Sequence, residues 1–319
     1  MASTPSLSRR TFLTGLFAIL GACAIPRALP TVPHVSGSRS SPVFREFVDL
    51  YQHDVPKDGT VTILYPGSGF DLSPLEIGLQ LLYNTEVKNV NFIYTEIGDY
   101  EENLPTWHDG FNDLTARIEN GLDELVRQNS IMSVQRYYQK DSSWIRSDLS
   151  SSAVVEYSLA LSPAGKKQSM KKSMTLTLAF NTFDNRQEPT AEESTIFAPK
   201  LLTHARENYW PAQTVPGKIY PTYFNQDHFD QADIILSKQC GDFNLLQFDY
   251  VRAFQHTARP KPRVILTEHP DTLESVRESL PRYTTDVRVL QQQNYGYCRE
   301  SNCKVGVLIV KPIAKSYGQ

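Results

Sequence analysis

The residues best placed to do chemistry fall in three short segments. Pro66-Gly67-Ser68-Gly69-Phe70-Asp71 follows the apolar run Val61-Thr62-Ile63-Leu64-Tyr65 and precedes Ser73-Pro74. Glycine takes positive φ and lets the backbone approach a ligand closely, and the amides that open a helix carry partial positive charge. Gly67, Ser68 and Gly69 could therefore cradle a polar ligand, or form a tight strand-to-helix turn that the fold itself needs. Glu96 closes a second apolar run, Val90-Asn91-Phe92-Ile93-Tyr94. Open parallel sheets place an acid there to accept from ribose hydroxyls, although a solvated strand-end carboxylate explains it as well. The third segment is Ser237-Lys238-Gln239-Cys240-Gly241-Asp242, after the apolar Ala232-Asp233-Ile234-Ile235-Leu236. Lys238 and Asp242 are polar enough to handle a ligand at such a strand end, and Asp242 is equally suited to cap the next helix.

Other constellations are weaker. Ser68 sits on a strand–turn–helix pattern, but the Gly-x-Ser-x-Gly of a nucleophile elbow is absent. Trp107-His108-Asp109 and Asp227-His228 form neither His-x-x-x-His nor a paired-cysteine spacing, so no metal site is expected. His269, in Glu268-His269-Pro270, reads as a strand-end residue. Lys166-Lys167 and Lys171-Lys172 fall at a predicted hairpin turn, either simply solvated or facing anionic headgroups.

The elements that must position these residues alternate. After the first strand, Pro74 opens a helix with Leu75, Leu79, Leu82 and Tyr83 on its apolar face and Ser73 as N-cap. The strand ending at Glu96 precedes a helical pattern from Asn112 to Gln128, with Leu114, Ile118, Leu122 and Leu125 in line. Ser133–Tyr138, Val154–Leu161 and Met174–Phe180 alternate with period two, as a hairpin or meander insertion at about 131–182. A helix is expected over Ala191–Arg206, then a strand over Ala232–Leu236 and a helix over Phe243–Phe254. Arg263–Thr267 follows as a strand and Thr272–Leu280 as a helix. Val287–Leu290 and Val305–Val310 close the chain as an antiparallel hairpin. The fold class is α/β: a Rossmann-like, mostly parallel sheet with a β-hairpin or meander insertion and a C-terminal antiparallel hairpin.

This order, a strand with a Gly-rich turn, alternating α/β units and a terminal antiparallel hairpin, resembles the class I S-adenosylmethionine-dependent methyltransferases over residues 58–312. The resemblance implies S-adenosylmethionine as cofactor, with Gly67, Ser68, Gly69 and Glu96 holding it. The family's loop has an acid followed by Gly-x-Gly-x-Gly. Here Tyr65-Pro66 stands in the acid's place and Phe70-Asp71 replaces the third glycine.

The amino terminus reads as an address. Ser8-Arg9-Arg10-Thr11-Phe12-Leu13, followed by the apolar Thr14–Ala22, resembles a bacterial twin-arginine signal, with an ordinary secretory signal or a retained anchor as the alternatives. Leu20-Gly21-Ala22-Cys23 resembles a lipobox, which implies lipidation of Cys23; the alternative is plain cleavage near Ala22 or Ala24. Residues 1–23 are thus the export signal, 24–42 a Pro/Ser/Gly-rich tether, and 43–319 the globular domain. The expected partners are the twin-arginine export machinery through Arg9 and Arg10, the membrane through the lipid, and a small-molecule ligand. The expected location is the periplasm or the membrane surface of the cell envelope. In that oxidising compartment Cys298 and Cys303, in the turn of the closing hairpin, could form a disulfide, leaving Cys240 free or buried.

Composition narrows the classes. With 319 residues, 40% hydrophobic and 21% charged, the chain can bury a core. A net charge of −3 and pI near 6.2 argue against a general nucleic-acid binder. Two functions remain in view: an exported, lipid-anchored envelope protein that reuses a methyltransferase-like scaffold for an unknown ligand without catalysis, or an active S-adenosylmethionine-dependent methyltransferase.

Overall fold

The computed structural model describes residues 42–51, 54–66, 73–97, 115–116, 118–120, 122–123, 131–138, 150–161, 170–183, 190–208, 220–222, 225–237, 243–267, 270–292 and 303–313. All of them belong to the compact unit Thr31–Gln319. Along the chain run α1 (Pro42–Tyr51), β1 (Thr60–Pro66), α2 (Ser73–Asn84), β2 (Asn89–Ile97), β3 (Ile131–Tyr138), β4 (Ser150–Leu161) and β5 (Met170–Phe183). Then come α3 (Ala191–Ser194), α4 (Pro199–Asn208), β6 (Tyr220–Thr222), α5 (Gln226–Gln231), β7 (Ile234–Ser237), α6 (Phe243–His256) and β8 (Arg263–Thr267). A 3-10 turn at Pro270–Thr272 leads into α7 (Leu273–Glu278), and β9 (Tyr283–Gln292) and β10 (Cys303–Pro312) close the chain.

The strands form one sheet in the order β3-β4-β5-β2-β1-β7-β8-β10-β9, with β6 paired to β5. β5, β2, β1, β7 and β8 run parallel. β10 is antiparallel to both β8 and β9, as the terminal hairpin requires. This is the Rossmann-like α/β architecture of the methyltransferase-like class. Central strands buried on both faces read as continuous apolar runs, and β1 is buried from Val61 to Pro66. On one face, Leu64, Ile93, Ile235, Ile265 and Leu308 pack against Leu201 of α4, Phe229 of α5, Val251 and Phe254 of α6, and Leu273 and Val276 of α7. On the other face α2 lies against β1 and β2, and α1 lies against α2.

Several expectations need correction. Met174–Phe180 does not belong to the insertion alone: β5 closes the meander on β4 and also pairs in parallel with β2, so it is a strand of the main sheet. The helix expected over Ala191–Arg206 is two helices. Pro199 supplies no N–H and disfavours helical backbone at Ala198, so the first helix stops and a second starts at Pro199. The first piece is held by a capping box between Thr190 and Glu193. Glu193 also binds Arg252 and His256 of α6, at 3.2 and 2.9 Å. Burial would raise the Glu193 carboxyl, but these two partners and the Thr190 N–H outweigh it and hold it at about 2. Lys171 and Lys172 are not in a turn. They lie in β5, where Lys172 is buried and donates to the Val87 carbonyl. Of the helix expected over Asn112–Gln128, Ile118 and Leu122 are helical and buried, while Leu114 and Leu125 lie outside the described residues.

Candidate functional site

The parallel strands give the sheet two edges of opposite chemistry. At the N-terminal edge sit all three buried charged side chains of the described residues, Lys172, Asp233 and Arg263. Asp233 accepts from the Thr62 N–H at 2.8 Å and from Lys261 Nζ at 2.7 Å. Burial pushes its carboxyl up, and Lys261, the Thr62 N–H and Arg263 pull it back. Arg263 donates to the carbonyls of Phe229 and Arg259, at 3.2 and 3.1 Å, and its guanidinium lies 4.6 Å from the Phe229 ring centre. A buried charge must be partnered, and here the partners lie at strand starts, in turns and, for Arg263, on the backbone of α5. This edge staples β1, β7 and β8 together.

The C-terminal edge carries hydroxyls. Thr95 is level with Pro66, and Ser237 with Thr267. Two residues beyond the registered pair Leu64 and Ile235 come Pro66 and Ser237. The row across the sheet is therefore Thr95, Pro66, Ser237, Thr267 and then Gly306, which is level with Thr267. Residues level with one another share a face, so this row tops the apolar row of Ile93, Leu64, Ile235, Ile265 and Leu308. Thr95 and Ser237 flank β1, two strand spacings or about 10 Å apart. Both are fully buried, and among the described residues neither Thr95 Oγ1 nor Ser237 Oγ has a hydrogen-bond partner. An unsatisfied buried hydroxyl costs about 1–3 kcal/mol, and such groups concentrate where a ligand or a reaction uses them. In open parallel sheets the carboxyl ends of the strands are also where ligands bind.

Of the sequence-derived candidates, Glu96 is the penultimate residue of β2, next to Thr95 and level with Phe180 of β5. Tyr65 and Pro66 are the last two residues of β1, so the position where the resemblance expects an acid is a buried proline. β7 pairs with β1, so the strand ends preceding Gly67 and Lys238 are neighbours. Gly67, Ser68, Gly69, Lys238, Asp242, Cys23, Cys298 and Cys240 lie outside the described residues, as do His108 and His269. Cys303 opens β10, level with Gln292. His228 lies on α5, and among the described residues no group of three or more His, Cys, Asp or Glu could hold a metal. Thr95 was missed because a lone hydroxyl in an apolar run carries no motif, and Ser237 opened the third candidate segment without being given a role beside Lys238 and Asp242. Only the strand register brings them to one row.

The strand order defines a Rossmann-like, mostly parallel α/β fold. No family model and no curated protein matches the chain. Among solved structures, it is similar to precorrin-6y C5,15-methyltransferase from Geobacter metallireducens GS-15, at 11% identity and a TM-score of 0.33 over 84% of this chain and 87% of that one. The fold assignment rests on this chain's own strand order.

Proposed function

We propose that this chain is an exported, lipid-anchored envelope protein whose methyltransferase-like domain binds a small ligand over the C-terminal edge of its parallel sheet without transferring a methyl group. The observation that carries the reading is the pair of buried, unpartnered hydroxyls of Thr95 and Ser237 at that edge. A fold keeps such groups at a cost in stability when a ligand uses them. Divergence from catalysis is supported by Tyr65-Pro66 in place of the acid and by the supply of S-adenosylmethionine, which is made and kept in the cytoplasm. Export and anchoring are supported by Arg9-Arg10 and by Cys23 after a lipobox-like run. A scaffold does not fix a function.

Thr95→Val keeps the side-chain shape and removes the hydroxyl. It is expected to stabilise the chain by about 1 kcal/mol in urea unfolding, because the cost of an orphaned polar atom goes with it. Destabilisation would show that the hydroxyl serves the fold and would withdraw the site. Glu96, at the place where the resemblance puts a ribose-binding acid, favours the second reading of an active methyltransferase. Calorimetry with S-adenosylhomocysteine decides between them: no heat is expected, and binding that disappears in Gly67→Arg would put methyl transfer first.

A further inference from the structure

We propose that the outer edge of β9 is a self-pairing surface that joins two copies of this chain into one continuous sheet. All ten residues of β9 are level with residues of β10, and no described strand pairs with its other side. An open edge presents unpaired N–H and C=O groups, which proteins blunt with short strands, prolines, charged side chains (lysine above all) or bulges. Of these β9 carries only the charges Asp286 and Arg288, which are of opposite sign, and its register with β10 is unbroken.

Its side chains instead carry a self-complementary pattern. Asp286 and Arg288 lie two residues apart on one face, about half exposed, with Arg288 Nε 2.9 Å from Asp286 Oδ2. In an antiparallel pairing centred on Val287, Asp286 of one copy faces Arg288 of the other, and the two-fold axis repeats the contact. Moving the centre by one residue sets Asp286 against Asp286 or Arg288 against Arg288, which like-charge repulsion disfavours. On the opposite face the same register sets Thr285 against Val289, a pair of β-branched side chains. Val289 is 47% exposed, one of two exposed large apolar residues among those described. The charge pattern selects this centre, and the exposed Val289 and the open ladder accommodate it.

The test is sedimentation velocity on the full chain with a charge swap. The wild type is expected at twice the chain mass, and Arg288→Asp at the single mass with an unchanged far-ultraviolet circular dichroism spectrum. The double variant Asp286→Arg, Arg288→Asp restores the facing pairs and is expected to return the dimer. Val287→Cys, which faces itself across the axis, is expected to give a disulfide-linked dimer on mild oxidation that the wild type treated alike does not. A wild type that sediments as a single chain overturns the proposal, as does a double variant that stays monomeric.

Discussion

His228 is half-buried beside Phe229, with its backbone N–H bound to the Asn225 side chain at the start of α5. Its Nδ1 is buried and has no partner among the described residues. Burial pushes the imidazole down to about 4, against the smaller pull of Asp227 in the other direction. In the unfolded chain the same group titrates at its ordinary value of 6.5. Between those two values the unfolded state binds more protons than the folded one, so stability rises with pH there. The folded chain should accordingly lose up to about 3 kcal/mol from this group as pH falls from 6.5 to 4. His228→Gln should remove that part of the slope. Comparing urea midpoints of wild type and variant at pH 7 and pH 4.5 checks it, and an equal decline in both would exclude His228 as the source. The sequence showed this histidine only as half of an Asp-His pair. Its role came from burial, which no local spacing reports.

Gly78 sets how closely α2 can approach the sheet. A Cβ there would fall on the Phe92 ring of β2 and 3.1 Å from Val90 Cγ1. Alanine favours a helix by about 1 kcal/mol over glycine, but overpacking a buried ring costs about 1–3 kcal/mol. Gly78→Ala is expected to destabilise the chain in urea unfolding, and a gain in stability would mean that the Phe92 ring yields. At the scale of elements the strands were the readable part, because a strand buried on both faces is a continuous apolar run: Val61–Tyr65, Val90–Tyr94 and Arg263–Thr267 all fall inside observed strands. Short pieces were not readable. α5 has six residues and β6 three, too few for any period to show. α1 has Phe47, Val48 and Tyr51 buried on one side, but it directly follows the Pro-rich tether and was merged with the domain boundary. The double role of β5 was invisible for a different reason. Its alternation fits the antiparallel partner β4, while its parallel partner β2 lies far back in the chain.

Taken whole, the molecule depends on long-range pairing, and this bears on the export proposed above. β1 is held between β2 and β7, and the Thr62 N–H meets Asp233 across a separation of 171 residues. Ser173 of β5 bonds Asn89 of β2 across 84 residues. The closing hairpin sets β10 (Cys303–Pro312) beside β8. Sheets built from non-local contacts fold slowly and expose aggregation-prone edges until they close. A twin-arginine signal, whose pathway carries folded cargo, suits such a chain better than threading it unfolded. Arg9→Lys, Arg10→Lys is therefore expected to leave a folded, protease-resistant precursor in the cytoplasmic fraction, while the parent chain appears shortened in the envelope fraction. Cys23→Ala should leave the signal but release the product from the membrane. A double-lysine variant that is exported like the parent would remove the twin-arginine reading, and a Cys23→Ala product still bound to membrane would remove the lipid. Because Arg9, Arg10 and Cys23 precede every described element, these substitutions leave the sheet untouched, so either result reports on the address and not on the fold.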